Sequence, residues 1–382
     1  MERQPAMRSA YLHTTPSDQV PWWWKEIRLD RNLCDFDYIP MKFRGKRSKQ
    51  ITALEVPLYL LKLLKDLLAL RRKYDYIYTG ECDFNGLGIA LWQSLFFMRR
   101  PRHVMLMFIM REKTTSLPSR LKYALMTFMF RSVYRVICSS RSEGEYYREM
   151  FGWDASKVQF VPLPTSPECV EDNDARLDED YVIAAGRVFR DYPTAIEAVK
   201  DTPFKLIIVG GEGVSREFGD GGQIQVLEEI PQEHFMRLVR RAAAVIVPLK
   251  DKRISTGQTV ICQAMAMGKL VIATRTAGTE DYIDHMVDGV LVPPGDVDEL
   301  RRAIRAAGDE SLRREIGANA RNRMARGHMP HHYSAGIRRA VLQPIPTSCE
   351  PSKRQAGAPS PALRRDEGAG EPALAAHEMD ET

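Results

Sequence analysis

Ser255-Thr256-Gly257-Gln258-Thr259-Val260-Ile261-Cys262-Gln263-Ala264-Met265-Ala266-Met267-Gly268-Lys269 lies between two apolar runs, Ala244-Val245-Ile246-Val247-Pro248-Leu249 and Leu270-Val271-Ile272-Ala273-Thr274. The flanks have the length and β-branched content of buried strands, and the stretch between them has small polar starters followed by a helical run. Strand, loop, helix, strand is the order of a parallel sheet with a helical crossover. The first backbone N–H groups of such a helix lack intrahelical partners, and Ser, Thr and Gly let the chain turn closely around an anion, often a phosphate. An ordinary capped helix begins in the same way.

The same alternation extends in both directions. Ser9-Ala10-Tyr11-Leu12-His13 reads as an opening strand, Trp22 to Ile27 as a helical turn and Asp37-Tyr38-Ile39-Pro40 as a second strand. A helix is predicted from Pro57 to Lys73, with Leu60, Leu61, Leu63, Leu64, Leu67 and Leu68 on one wide face. Further strands are predicted at 76–79, 103–108 and 134–139, and after a break at 181–185, 205–209, 244–249, 270–274 and 290–292. The break, Pro162-Leu163-Pro164-Thr165-Ser166-Pro167 running into Glu171-Asp172-Asn173-Asp174, has the composition of a linker. The chain of 382 residues therefore divides into an α/β domain over 1–165, a second over 166–342, and a tail over 343–382 rich in Pro, Ala, Gly and charge, expected to be disordered. Each domain is expected to be doubly wound.

From Ser255 through Gly278-Thr279-Glu280-Asp281-Tyr282 to Asp288-Gly289-Val290-Leu291-Val292-Pro293-Pro294-Gly295-Asp296, the sequence resembles the donor-binding half of the retaining GT-B glycosyltransferases of family 4. The resemblance covers roughly residues 180 to 310. It implies two Rossmann-like domains facing across a cleft. It also implies transfer of a hexosyl-type group from a nucleotide sugar, with retention, to a polysaccharide or glycolipid acceptor. The family's usual form has a Glu, seven residues and a second Glu; those positions are Ser255 and Gln263 here. By the resemblance, position 255 faces the donor sugar and Gln263 the ribose, and the shorter Ser255 needs Thr256, a water or Asp251 to complete the reach. Each exchange of a charge-assisted hydrogen bond for a neutral one costs about 1 kcal/mol.

The resemblance also assigns Gly186-Arg187 to the donor diphosphate, with Arg190 as the candidate second cation and the helix N-terminus at Gly257, Gln258 and Thr259 as the third contact. Guanidinium forks match phosphate oxygens and keep their charge. Stabilising the departing diphosphate in this way requires no cofactor and no metal. Gly211, in Gly210-Gly211-Glu212-Gly213, is expected to line the donor cleft, and Glu280 to orient donor hydroxyls unless it is a solvated loop acid. The lost acids keep open a second reading, a non-catalytic GT-B protein that binds a nucleotide or scaffolds a glycan-building complex.

Six scattered cysteines without a C-x-x-C pair suggest neither a disulfide framework nor a zinc ribbon, which fits a reducing cytoplasm. His328, His331 and His332 are close in sequence, but Pro330 interrupts them and no metal site is expected. The start lacks a signal-peptide core, and no apolar run has membrane-spanning length. Charge is uneven, with 26 Lys and Arg against 15 Asp and Glu in residues 1–150. Leu117 to Arg131 and Phe96-Phe97-Met98-Arg99-Arg100 combine apolar and cationic side chains. They read either as a peripheral contact with an anionic membrane, at the inner face of the plasma membrane, or as sheet-covering helices with solvated cations. Aromatic and basic residues interleave elsewhere without a nucleic-acid module, so nucleic acid is not an expected partner.

Overall fold

A computed structural model describes residues 8–13, 36–41, 52, 54–80, 84–110, 112, 114–171, 179–218 and 221–342. The expected helical turn at Trp22 to Ile27, the acidic residues 172–174 and the tail from 343 lie outside the described residues.

The first sheet comprises β1 (Ser9–His13), β2 (Phe36–Pro40), β3 (Tyr76–Gly80), β4 (Arg102–Leu106), β5 (Arg135–Cys138) and β6 (Val158–Phe160), all parallel, in the order β2-β1-β3-β4-β5-β6. The crossovers carry α1 (Val56–Leu70), α2 (Phe84–Leu95), α3 (Leu117–Phe130) and α4 (Arg141–Phe151). The second sheet comprises β7 (Glu179–Ala185), β8 (Lys205–Gly210), β9 (Ile224–Glu228), β10 (Ala242–Val247), β11 (Leu270–Thr274) and β12 (Val290–Val292), again parallel, in the order β12-β11-β10-β7-β8-β9. Its helices are α6 (Tyr192–Val199), α7 (Val214–Phe218), α8 (Gln232–Arg241), α9 (Gln258–Ala266), α10 (Val297–Ala306) and α11 (Glu310–Gly327), after a short α5 (Pro167–Glu171). A last helix, α12, spans Pro330–Leu342.

Alternate residues of the central strands enter opposite cores, as the two-residue period of a strand requires. Ile183, Ala185, Val245 and Val247 pack on the face covered by α9 and α11, while Val182, Ala184 and Ile246 meet α6 and α10 on the other. Helix α11 comes so close to the turn after α9 that a Cβ at Gly317 would lie 2.1 Å from the Gly268 carbonyl oxygen.

Tertiary packing revised several local expectations. Helix α1 ends at Leu70 and buries Tyr59, Leu63, Leu67 and Leu70, leaving Leu61 and Leu68 facing solvent, so its core stripe is narrower than the leucine pattern suggested. The expected linker is ordered through residue 171: Thr165 and Cys169 are buried, and α5 packs on α9 and α11. Reading along the chain placed residues 330–342 with the second domain, but α12 returns to the first sheet. There Tyr333, Ile337 and Val341 join Tyr76, Val104 and Ile137. Arg135, the first residue of β5, donates from Nε to the Ala340 carbonyl at 3.1 Å.

Candidate functional site

In the second sheet the chain moves from β7 to β8 on one side and later returns to β10 on the other, so a topological switch point lies at the carboxyl end of β7. Open α/β sheets take ligands in the crevice at such a point. Three loops meet there. The loop after β7 is tied to the end of β8 through Gly186 N–H to the Val209 carbonyl at 3.0 Å. It is tied to the chain leaving β10 through Lys250 N–H to the Phe189 carbonyl and Asp191 N–H to the Pro248 carbonyl, each 3.0 Å.

Arg187 lies on the open side of this junction. Its side chain is exposed, its stem crosses Gly211, where a Cβ would lie 3.2 Å from Arg187 Cδ, and Nη2 reaches Glu229 at 2.8 Å. An exposed pair of this kind holds its partners weakly, so the guanidinium remains exchangeable for a stronger anion. Arg190 is placed differently. Its Nε donates to the Ala185 carbonyl at 2.7 Å and its Nη1 to the Val188 carbonyl at 2.8 Å, while Gly186 sits directly against the guanidinium. Burial pulls its pKa down from the usual arginine value. Arg190 therefore holds the loop that presents Arg187, because its Nε and Nη1 already meet backbone carbonyls.

The third loop ends at Gly257, the N-cap of α9, whose φ of +91° suits glycine and which supplies no side-chain cap. The first N–H groups of α9 are thus left to the crevice, with Thr256 and Gly257 partly exposed and Thr259 exposed. Gln258 is 4% exposed and its Nε2 has no hydrogen-bond partner, so a buried donor waits beside the helix start. Gln263 is buried within α9. Glu280 is exposed and paired with Arg275 at 3.0 Å.

Ser255 is only 1% exposed, and its hydroxyl bonds neither Thr256 nor Asp251 but Oε2 of Glu143, from the first half of the chain. Glu143 is fully buried in the first turn of α4, and its other oxygen accepts from Tyr147 Oη at 2.8 Å. Tyr147 Oη in turn accepts from Met110 N–H at 2.7 Å. Burial drives the Glu143 carboxyl up from about 4.5 to about 7, against the lowering effect of the hydrogen bonds from Ser255 and Tyr147. A carboxyl thus stands against the position where the resembling enzymes carry one, supplied from the other half of the chain. The sequence reading overlooked it. The available signal was Ser140-Arg141-Ser142-Glu143, a capping-box pattern in which Ser140 Oγ accepts from Glu143 N–H at 3.4 Å while the Glu side chain turns toward Ser255.

Other contacts fasten the carboxyl edges of the two sheets around this bond. Arg141 N–H meets Asp281 at 2.8 Å, Tyr282 Oη donates to the Ser139 carbonyl at 2.8 Å, and Arg253 pairs with Glu149 at 3.0 Å over the Tyr146 ring. Gly278, at φ +99°, lets its loop lie on Ser255 and Gln258; a Cβ there would come within 2.5 Å of Ser255 Cβ. His328 is buried with Nδ1 at 3.0 Å from the Leu163 carbonyl oxygen, a structural role. Among the described residues no three His, Cys, Asp or Glu side chains gather to hold a metal ion.

Residues 181–309 match the family model described as Glycosyl transferases group 1, which bears out the resemblance read from residues 255–296. An exopolysaccharide phosphotransferase of Streptomyces coelicolor is 34% identical over 121 residues, 28% of this chain and 13% of that much longer relative. Among solved structures, sucrose-phosphate synthase of Thermosynechococcus elongatus aligns with a TM-score of 0.65 at 19% identity, over 86% of this chain and 97% of that one. Anabaena HepE in complex with UDP and glucose aligns with a TM-score of 0.64 at 15% identity, over 88% and 99%. The chain has the two-domain GT-B fold, and its second half carries the group 1 glycosyltransferase pattern.

Proposed function

We propose that the protein transfers a glycosyl group from a nucleotide-diphosphate sugar to a hydroxyl of a glycan or lipid-linked acceptor, with retention at the anomeric carbon. The observation that carries this reading is the convergence, at the switch point of the second sheet, of exposed Arg187 over Gly211 and the uncapped start of α9. As the bond between sugar and diphosphate breaks, negative charge grows on the leaving oxygens. Arg187 and the N–H groups from Gln258 onward stabilise that charge without a resident metal. Arg190 positions the loop, and Gln258 and Gln263 offer amide groups to donor hydroxyls. The structures of Anabaena HepE with UDP and with UDP-glucose support a nucleotide-sugar donor, and the exopolysaccharide relative supports a polysaccharide product.

The same proposal places the first half on the inner face of an anionic membrane. Helix α3 turns Tyr123, Met126, Met129 and Phe130 into the core, so its aromatic and Met residues are structural. Its other face presents Leu117, Leu121 and Leu125, each more than half exposed, with exposed Arg120 and Lys122 between them. Spaced four residues apart, the leucines form one apolar stripe bordered by cations, the pattern of an interfacial helix. Among the described residues no helix is long and apolar enough to cross a membrane.

The test is incubation of the purified protein with a panel of nucleotide sugars and a lipid extract, following donor consumption and the anomeric configuration of the product by NMR. Donor consumed with retained configuration supports the reading. If no donor is consumed or hydrolysed while free nucleotide still raises the melting temperature, the protein is a non-catalytic nucleotide binder, the reading favoured by the absence of acids at 255 and 263.

A further inference from the structure

The opposite, amino-terminal edge of the first sheet holds a pocket of about 630 Å³ whose walls carry Arg99, Arg100, Arg102, Arg131 and Lys157 against one acid, Asp154. None of the five cations pairs with a carboxylate among the described residues. Arg102 donates to Tyr76 Oη at 2.8 Å and lies 4.7 Å over the Tyr134 ring, which fixes it in the wall. Lys157 donates to the Phe130 carbonyl, and burial pulls its pKa down to about 8, so it remains charged at neutral pH and an anion beside it would favour that charge. Asp154 accepts from Ser156 N–H at 2.7 Å, and its single charge leaves the cations in excess. Gln93, 1% exposed, gives one wall an amide whose Oε1 has no partner, an acceptor for a ligand hydroxyl.

The same pocket has an apolar border. Leu95, Phe96 and Phe97 close α2, and Phe97 is 82% exposed at a φ of +50°, a left-handed conformation that a bulky residue rarely adopts. A soluble phosphate would use the cations but would leave this exposed aromatic edge without a role. An amphiphile with an anionic head uses both.

We propose that this pocket binds the phosphate-bearing headgroup of an anionic lipid while Phe96 and Phe97 enter the bilayer interface beside it. The proposal rests on the membrane-surface reading above and adds a defined headgroup site to it. The pocket lies a strand length from Glu143, since β4 and β5 begin at the pocket and end at the cleft. Headgroup binding therefore holds the protein to the surface without occupying the donor crevice.

The test is co-sedimentation of the full chain with vesicles of phosphatidylcholine alone or mixed with phosphatidylglycerol. Wild type should bind the mixed vesicles only. The double variant Arg99→Gln/Arg131→Gln should bind roughly thirtyfold more weakly, a factor of about five for each lost cation, whereas Arg302→Gln/Arg314→Gln, of equal charge change on α10 and α11, should bind like wild type. Phe97→Ser changes an exposed side chain without touching charge, and should weaken binding about tenfold. Melting temperatures confirm that each variant is folded. If Arg99→Gln/Arg131→Gln binds as wild type does while Leu121→Gln/Leu125→Gln does not, the membrane reading stands and the pocket assignment fails. If wild type binds neither vesicle, both fail. If soluble glycerol phosphate raises the melting temperature but vesicles are not bound, the ligand is a soluble anion and the lipid assignment is overturned.

Discussion

Replacing Glu143 with Gln tests the contact between the two halves through its dependence on pH. The carboxyl titrates near 4.5 when unfolded and at about 7 in the folded chain, where burial is the main cause. Below about pH 4.5 both states are protonated and the shift has no effect. Between about 4.5 and 7 only the unfolded chain ionises, so folding stability falls as pH rises; above 7 the deficit remains. A difference of about 2.5 units at 1.36 kcal/mol each amounts to about 3 kcal/mol. Gln has nearly the same shape, can accept from one hydroxyl and does not titrate. Urea unfolding at pH 5 and pH 8, followed by tryptophan fluorescence, should therefore show wild type losing about 2.5 kcal/mol more than Glu143→Gln over that interval, the remainder having been lost below pH 5. Groups that titrate in both proteins, such as His328, cancel in the comparison. Equal losses in the two proteins, to within about 0.5 kcal/mol, would refute a buried Glu143 that stays protonated near neutral pH.

Four further outcomes follow from the same structure. Ser255→Ala removes a hydrogen bond that lowers the Glu143 pKa, so the carboxyl should titrate above about 7, which infrared titration of the carboxyl band would register; a midpoint unchanged from wild type counts against the bond. Arg187→Ala should weaken nucleoside diphosphate binding about tenfold to a hundredfold in calorimetry, the worth of a charge-assisted phosphate contact, while hardly changing the melting temperature of so exposed a residue; unchanged affinity removes it from the site. Arg190→Ala should instead lower stability by about 2 kcal/mol, since the Ala185 and Val188 carbonyls lose their donor, and a variant as stable as wild type would show that the loop is held by other contacts. Gly317→Ala should destabilise the second domain by about 3 kcal/mol, because its methyl would collide with the Gly268 backbone and not with a side chain that can move; a loss below about 1 kcal/mol would mean that α11 can withdraw.

Much of the second domain was legible in the sequence because its signals are local. A strand buried on both faces needs a continuous apolar run, and Ala242–Val247 and Leu270–Thr274 supply one. The start of α9 was equally plain, since a tight turn before a helix calls for Gly257. Arg187 and Arg190 were read together as cations for the donor diphosphate, and residue type alone could not separate an exposed guanidinium beside Gly211 from a buried one three residues on. Whether a guanidinium meets a ligand or its own backbone depends on the path of the loop, which Gly186 and the chain leaving β10 set together.

Periodicity and residue type by themselves determined the alternating α/β order, the parallel sheets with helical crossovers and the loop that opens α9, because each depends on neighbours a few residues apart. Tertiary structure alone decided which surfaces meet. Ser255 and Glu143 are 112 residues apart and touch only because the carboxyl edges of two sheets converge. Helix α12 follows the second domain in sequence yet buries Tyr333 and Ile337 against the first sheet, where an apolar face remained uncovered. Helix α3 could have turned either face inward on composition; the core took its aromatic and Met residues, and the leucines were left outside. In each case local sequence specifies an apolar or polar face, but the partner of that face comes from a distant part of the chain.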